Sequence, residues 1–331
     1  MRVAFYSTKP YDKIYFEPLS HQYDIELHFL EAPCIEETIS LAAGHDAVCI
    51  FVNDYMNEKM IESAAEMGIR VILLRSAGFN NVDIKAAAKH NIPVLRVPSY
   101  SPEAVAEYAM AMLLTVNRKT HRAYTRTRDF NMSINGFMGT DLHGKTAGVI
   151  GTGKIGQAMI NILKGFGMHI LAYDPYPNPS LGVEYCTEEH LFKNADVITL
   201  HCPLTAETKH IIQAKSIEIM KDDVYLINTS RGDLIRTEDL IDGLLKKKFA
   251  GVGIDVYEEE GGVFYEDCSN EIIADENLAR LMTFPNVLVT SHMGFFTREA
   301  VHAIAEVTLE NADAVNRGLE LVNAVQPSNE G

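Results

Sequence analysis

Residues 146–174 read TAGVIGTGKIGQAMINILKGFGMHILAYD. The apolar run Thr146–Gly151 has the character of a parallel strand buried on both faces. It leads directly into Gly151-Thr152-Gly153-Lys154-Ile155-Gly156, and helix-like residues Gln157 to Phe166 follow. A second apolar run, His169–Asp174, ends on an acid. Gly151 permits a tight turn, Gly153 lets backbone approach a pyrophosphate, and Gly156 lets helix and strand pack closely. The free N–H groups and positive dipole end of the helix favour phosphate. Asp174 follows Gly151 by 23 residues, where a carboxylate can accept hydrogen bonds from both ribose hydroxyls. That same carboxylate repels a 2′-phosphate. A glycine-rich turn alone would say little; strand, turn, helix, strand and acid in order predict a NAD-binding unit that prefers NAD to NADP.

Outward from this unit the same alternation continues. Downstream strands are expected at Val197–His201, Val224–Asn228, Gly251–Val256 and Val287–Thr290. Upstream, apolar runs at Val3–Tyr6, Ile25–Leu30, Ala47–Val52, Val71–Leu74 and Val94–Val97 form a second series, with helix-like Met56–Met67 and Val82–His90 among them. Ser101-Pro102-Glu103 starts a long apolar helix, about Pro102–Asn117, followed by a polar, basic segment, Arg118–Asp129. An amphipathic helix, about Thr297–Asn316, is expected to return to the first series. The fold class is therefore α/β: two Rossmann-like or flavodoxin-like doubly wound parallel-sheet domains, with the active site expected in the cleft between them. Residues 1–100 and 299–331 would form a discontinuous substrate domain flanking a NAD-binding domain over 101–298.

The 331 residues suit two moderate domains. A net charge of -16 argues against nucleic-acid or anionic-membrane partners. The N-terminus lacks the pattern of a signal peptide, and no apolar run approaches a membrane span. Cys34, Cys49, Cys186, Cys202 and Cys268 are scattered and odd in number, without a Cys-x-x-Cys pair. No metal site or disulfide framework is expected, and a soluble protein of the reducing cytoplasm fits.

Three further segments fall at expected strand C-terminal ends, where open α/β sheets bind ligands: Asn228–Gly232, Asp255–Glu260 and Ser291–Phe295. Taken singly, their charged residues read as surface ion pairs or solvated acids. Placed together after a dinucleotide site, they match what reduction of a 2-oxo acid requires. The carboxylate needs a bidentate cation, which Arg231 offers. The carbonyl oxygen needs a proton donor working near neutrality, which His292 offers. The histidine needs a carboxylate to orient it and favour its cationic form, and Glu258, Glu259 and Glu260 are candidates.

The sequence resembles the D-isomer-specific 2-hydroxyacid dehydrogenase family over nearly its whole length. The blocks that carry the likeness are Arg75–Asp83, Val97–Glu107, Val149–Gly156, Ala172–Pro177, His201–Thr205, Asn228–Gly232 and Asp255–Glu258. The resemblance implies NAD-dependent interconversion of a 2-oxo acid and a D-2-hydroxy acid, and it is nearest to the bacterial D-lactate-forming members. It assigns Arg231 to the substrate carboxylate and His292 to acid/base work, and it selects Glu260 as the partner of His292. It places Ser76, Ala77 and Gly78 against the substrate carboxylate, and Tyr100 and Phe295 in the pocket wall. It adds Thr152, Lys154, Ile155, Cys202, Pro203, Thr208, Thr229, Ser230 and Asp255 to Gly151, Gly153, Gly156 and Asp174 on the cofactor side. The family's dimerisation region corresponds to Pro102–Asp129, so a homodimer or larger homo-oligomer is expected. Ser291 stands where many relatives have proline before the histidine. With Phe51 at a strand end as a third ring, little volume is left beside the carbonyl, which favours pyruvate. The alternatives are a 2-hydroxyisocaproate or phenyllactate enzyme taking bulkier 2-oxo acids, and a NAD-sensing corepressor-like binding protein.

Overall fold

A computed structural model describes residues 1–327; residues 328–331, the end of the segment expected over 299–331, lie outside the described residues. The chain divides into two units, one of Met1–Ser101 with the chain from Phe296 onward, the other of Pro102–Phe295. Phe296 falls with the first unit, where its ring lies edge-on to Tyr11 at 4.9 Å.

The first unit holds a five-stranded sheet: β1 (Arg2–Phe5), β2 (Glu26–Phe29), β3 (Ala47–Ile50), β4 (Val71–Leu74) and β5 (Val94–Leu95). Every pair is parallel and the order is β2-β1-β3-β4-β5. β3 and β4 are buried at every residue, which is why their sequences are apolar throughout rather than alternating. One face carries a core including Val48, Ile50, Met60, Ile61 and Ile72. The other packs Val3, Phe5, Cys49 and Leu73 against Thr308, Leu309 and Ala312 of the helix Arg298–Arg317. The free edge of β5 is covered by the chain end: Ala324 bridges Leu95, and the Val325 N–H donates to Val94 O at 2.8 Å.

The second unit holds a seven-stranded sheet: β6 (Thr146–Ile150), β7 (His169–Tyr173), β8 (Glu184–Tyr185), β9 (Val197–Leu200), β10 (Val224–Asn228), β11 (Phe249–Ile254) and β12 (Val287–Val289). All its pairs are parallel, in the order β12-β11-β10-β9-β6-β7-β8. The direction of winding reverses between β6 and β9, so a crevice opens at the C-terminal ends of those two strands. One core includes Leu200, Leu226, Ile254 and Leu278, and the opposite face packs Val149, Ile160, Val197 and Ile227 against Met112 and Leu113 of the helix Pro102–Arg118. Among the described residues no helix is long and apolar enough to cross a membrane.

Two helices lie outside the expected series, and a third starts earlier than expected. The basic segment after Arg118 is helical over Thr120–Arg128, with no buried residue and hence no apolar stripe to announce it. Pro10–Ser20 is a helix despite Pro18 within it. The helix after the glycine turn starts at Lys154 rather than Gln157.

Candidate active site

At the switch point, Gly151 has φ +90°, and a Cβ there would lie 2.5 Å from Cys202 N at the end of β9. Any side chain at Gly156 would collide with the Gly151 carbonyl, so helix and strand can approach only with glycine in place. Gly153 is different: nothing lies within 4 Å of the position a Cβ would take. It is the N-cap of the helix Lys154–Gly165, with no side-chain cap. Open space over a helix N-terminus with free N–H groups is what a pyrophosphate requires.

At the end of β7, Asp174 is held firmly. Its Oδ2 accepts from Thr152 N at 2.7 Å and Thr152 Oγ1 at 3.0 Å, and its Oδ1 accepts from Tyr176 N at 2.8 Å. The Ser230 hydroxyl donates to Cys202 O at 2.7 Å, joining the ends of β9 and β10. Thr208 donates to Pro203 O at 2.7 Å. Cys202 and Thr229 are 6% and 7% exposed, and burial pushes the Cys202 thiol up to about 12. Thr229 Oγ1 is buried with no protein partner among the described residues, a group a ligand could satisfy. Lys154 is exposed and Ile155 half-buried. These features fit a dinucleotide.

The three charged segments follow β10, β11 and β12, which are adjacent in the sheet. After β10, Asn228 shapes the turn: its Oδ1 accepts from Ser230 N at 3.0 Å and its Nδ2 donates to Arg231 O at 2.8 Å. A side chain at Gly232 would strike the Tyr257 carbonyl, so this turn packs directly on the β11 segment. Arg231 donates to Ser230 O at 2.6 Å and makes no ion pair among the described residues. An unpaired guanidinium at a strand end is poised for an anion.

After β11 the run of three glutamates separates. Glu258 accepts from Thr237 N at 2.7 Å and pairs with His210 Nε2 at 2.8 Å. Glu259 is exposed. Glu260 accepts from Tyr257 N at 3.0 Å through Oε1, and its Oε2 lies 2.9 Å from His292 Nδ1. The His292 side chain is 16% exposed and Glu260 21%, so the pair is partly withdrawn from water.

His292 has φ +55°, a left-handed conformation that disfavours a side chain. Asp255, 0% exposed, holds it there. The Asp255 carbonyl accepts from His292 N at 2.7 Å. Its Oδ1 accepts from Thr290 Oγ1 at 2.6 Å and Met293 N at 2.8 Å, and its Oδ2 from Gly294 N at 2.7 Å. Burial, opposed by these donors, raises the pKa of Asp255. The side chain that the resemblance gives to the cofactor also holds the histidine loop, and its Oδ2 accepts one of these three bonds. Tyr265, which no sequence signal marked, donates to His292 O at 3.0 Å and stacks on its ring at 6.1 Å. Phe295, 8% exposed, closes the same loop.

The remaining candidates belong to the first unit. Ser76, 6% exposed, donates through Oγ to Gly78 O at 2.8 Å, and Arg96 donates to Ala77 O at 3.0 Å. The N–H groups of Ser76, Ala77 and Gly78 donate to no acceptor among the described residues. The preceding Arg75 is 1% exposed and committed to Asp12 at 2.9 Å. Its guanidinium lies 4.9 Å from the Phe51 ring, which is 6% exposed. Tyr100 is half-buried beyond β5.

The family model described as D-isomer specific 2-hydroxyacid dehydrogenase, NAD binding domain, matches residues 110–294. A D-lactate dehydrogenase of Escherichia coli is 49% identical over 321 residues, 96% of this chain and 98% of that protein. The apo-structure of D-lactate dehydrogenase from Escherichia coli superposes with a TM-score of 0.89 at 46% identity, covering 98% of this chain and 100% of that chain. The structure of D-lactate dehydrogenase with NAD+ from Lactobacillus jensenii superposes with a TM-score of 0.81 at 29% identity, covering 99% and 100%.

Proposed function

Because the chain belongs to the D-isomer-specific 2-hydroxyacid dehydrogenase family, we propose that it is an NAD-dependent D-lactate dehydrogenase that reversibly reduces pyruvate. The observation that carries this reading is the His292–Glu260 pair at 2.9 Å on the strand end two places from the unpaired Arg231, within a NAD-binding sheet. Bound NADH supplies the hydride. Arg231 grips the substrate carboxylate with two parallel N–H donors; within the first unit, the N–H groups of Ser76, Ala77 and Gly78, which donate to no acceptor among the described residues, are the donors suited to an anion. His292 donates the proton that the carbonyl oxygen acquires on reduction, and takes it back in the reverse direction. Glu260 orients the imidazole through Nδ1, leaves Nε2 for the substrate, and stabilises the imidazolium. Asp255 and Tyr265 hold the loop on which His292 is carried. Residues 1–100 and the final helix provide the substrate domain, and the seven-stranded unit the cofactor domain.

The likeness to D-lactate dehydrogenases supports pyruvate, with its methyl group, over 2-oxo acids with longer side chains. One methylene in an apolar pocket alters discrimination by only about 1–3 kcal/mol. Pyruvate should therefore give the highest kcat/KM, 2-oxobutyrate a lower one, and 2-oxoisocaproate and phenylpyruvate poor ones, with D-lactate as product. A preference for phenylpyruvate would move the enzyme to the phenyllactate branch, and L-lactate would overturn the proposal.

A homodimer is also proposed. Phe130, Ile134 and Met138 are 87%, 84% and 89% exposed, beside a basic helix on a chain of net charge -16. An apolar and basic arm on an acidic molecule suits a second copy. Light scattering that returned a stable monomer would refute it. The described cysteines are all free, which supports a cytoplasmic location.

A further inference from the structure

We infer that Tyr185, acting through Thr152, fixes the orientation of Asp174 and thereby sets the preference for NADH over NADPH. The inference rests on the reading of Asp174 as the ribose ligand. Four groups form a single line: Asn178 N to Tyr185 OH at 3.0 Å, Tyr185 OH to Thr152 Oγ1 at 3.0 Å, and Thr152 Oγ1 to Asp174 Oδ2 at 3.0 Å. Its direction is forced. The Asn178 N–H can only donate and the ionised carboxylate can only accept, so both hydroxyl protons must point towards Asp174. A line of this kind is polarised along its length and strengthens each member.

The fold places these groups together. Tyr185 lies on the two-residue edge strand β8, and its partner in register is Ala172 on β7, two residues before Asp174. Thr152 lies in the glycine turn after β6 and is 4% exposed, so water cannot readily replace the tyrosine hydroxyl as its donor. With Tyr185 in place, the Thr152 hydroxyl has one orientation and Oδ2 receives two donors. Oδ1 receives Tyr176 N, which leaves one acceptor site on that oxygen, for a single ribose hydroxyl rather than the two expected from the sequence. A carboxylate pinned at both oxygens cannot swing aside for a 2′-phosphate. Without the tyrosine hydroxyl, Thr152 can turn away, Oδ2 loses a donor, and the carboxylate gains the freedom to move.

The test is the dissociation constant of NADH and of NADPH, each measured by fluorescence titration without substrate, for the wild type, Tyr185→Phe, Thr152→Val, the double variant and Asp174→Ser. Loss of the neutral Tyr185–Thr152 bond should reduce the NADPH-to-NADH ratio of constants by about three- to tenfold in Tyr185→Phe, and Thr152→Val, which removes that bond and the one to Asp174, should reduce it at least as far. The double variant should fall no further than Thr152→Val, because both changes break the same line. Thr152→Ser, which keeps the hydroxyl, should retain the wild-type ratio. A purely structural role for Tyr185 would weaken both cofactors alike, and an unchanged ratio in Tyr185→Phe and Thr152→Val overturns the inference. If Asp174→Ser shifts the ratio while those two do not, the relay fails and the reading of Asp174 stands. If none of them shifts it, the reading of Asp174 fails as well.

Discussion

Asp255→Asn separates the stability of the fold from the placement of its histidine. In the wild type the carboxylate accepts from Thr290 Oγ1, Met293 N and Gly294 N at 2.6–2.8 Å, and it is 0% exposed. Asparagine has one acceptor oxygen. Whichever way the amide is turned, its NH2 faces at least one backbone N–H, and that donor is left buried and unpaired at a cost of about 1–3 kcal/mol. An opposing effect acts on the whole fold. Burial raises the pKa of Asp255, so the folded state favours the neutral acid. Stability from this source is fully present below the unfolded pKa and is lost as pH rises through the folded one. At the pH of an assay the buried charge is unfavourable, and asparagine removes it. Global stability should therefore change little. The loop has no such relief, because His292 at φ +55° depends on the lost bonds. A penalty of about 1.4–2.8 kcal/mol on the productive loop corresponds to about a 10- to 100-fold fall in kcat for pyruvate reduction. NADH affinity by fluorescence titration should stay close to wild type. A normal kcat would refute the assignment of Asp255 to the histidine loop, and so would a large loss of NADH affinity with kcat intact.

Arg231→Lys should raise KM for pyruvate strongly and lower kcat, since a point charge replaces the planar fork; steady-state kinetics with an unchanged KM would place the carboxylate anchor elsewhere. Glu260→Gln replaces the carboxylate 2.9 Å from His292 Nδ1 that orients the ring, so kcat for pyruvate reduction should fall with NADH affinity unchanged, and an unchanged kcat would contradict the pairing. Asp196→Asn should lower thermal stability at neutral pH by about 1–2 kcal/mol. Burial raises the Asp196 pKa, but the Thr146 N–H and the Lys221 ammonium outweigh it and the net shift is downward. Its contribution is present above the ordinary aspartate range and is lost as pH falls through the depressed value. Unfolding midpoints of variant and wild type should converge in acid; a gap that stayed constant would rule this out.

Much of the fold is legible in the sequence because parallel strands buried on both faces must be apolar throughout. Val71–Leu74 and Val224–Asn228 are bounded in the structure where their apolar runs are bounded. Elements that bury little leave no such trace. Helix Thr120–Arg128 has no buried residue, and β8 is only two residues long. The nucleotide turn was readable because glycine is required by local geometry at Gly151 and by close contact at Gly156. The partners of the three consecutive glutamates were not readable from their own residues. Glu258 and Glu260 part company through contacts with His210 and His292, 48 and 32 residues away along the chain. The same holds for Asp255, whose grip on residues 290–294 spans up to 39 residues, and for Tyr265, in an irregular loop with no periodic pattern. Sequence identifies which groups can do chemistry; the long-range hydrogen bonds that aim them appear only in three dimensions.

The proposed role of His292 as proton donor in pyruvate reduction is tested by His292→Ala assayed with saturating NADH and pyruvate, beside its NADH dissociation constant. A general acid contributes about 10²–10⁴-fold. In His292→Ala, kcat should fall by that factor with NADH affinity unchanged, since His292 lies on the loop after β12 and the dinucleotide features cluster at the ends of β6, β7, β9 and β10. A variant that turned over pyruvate at a rate near that of the wild type would contradict it.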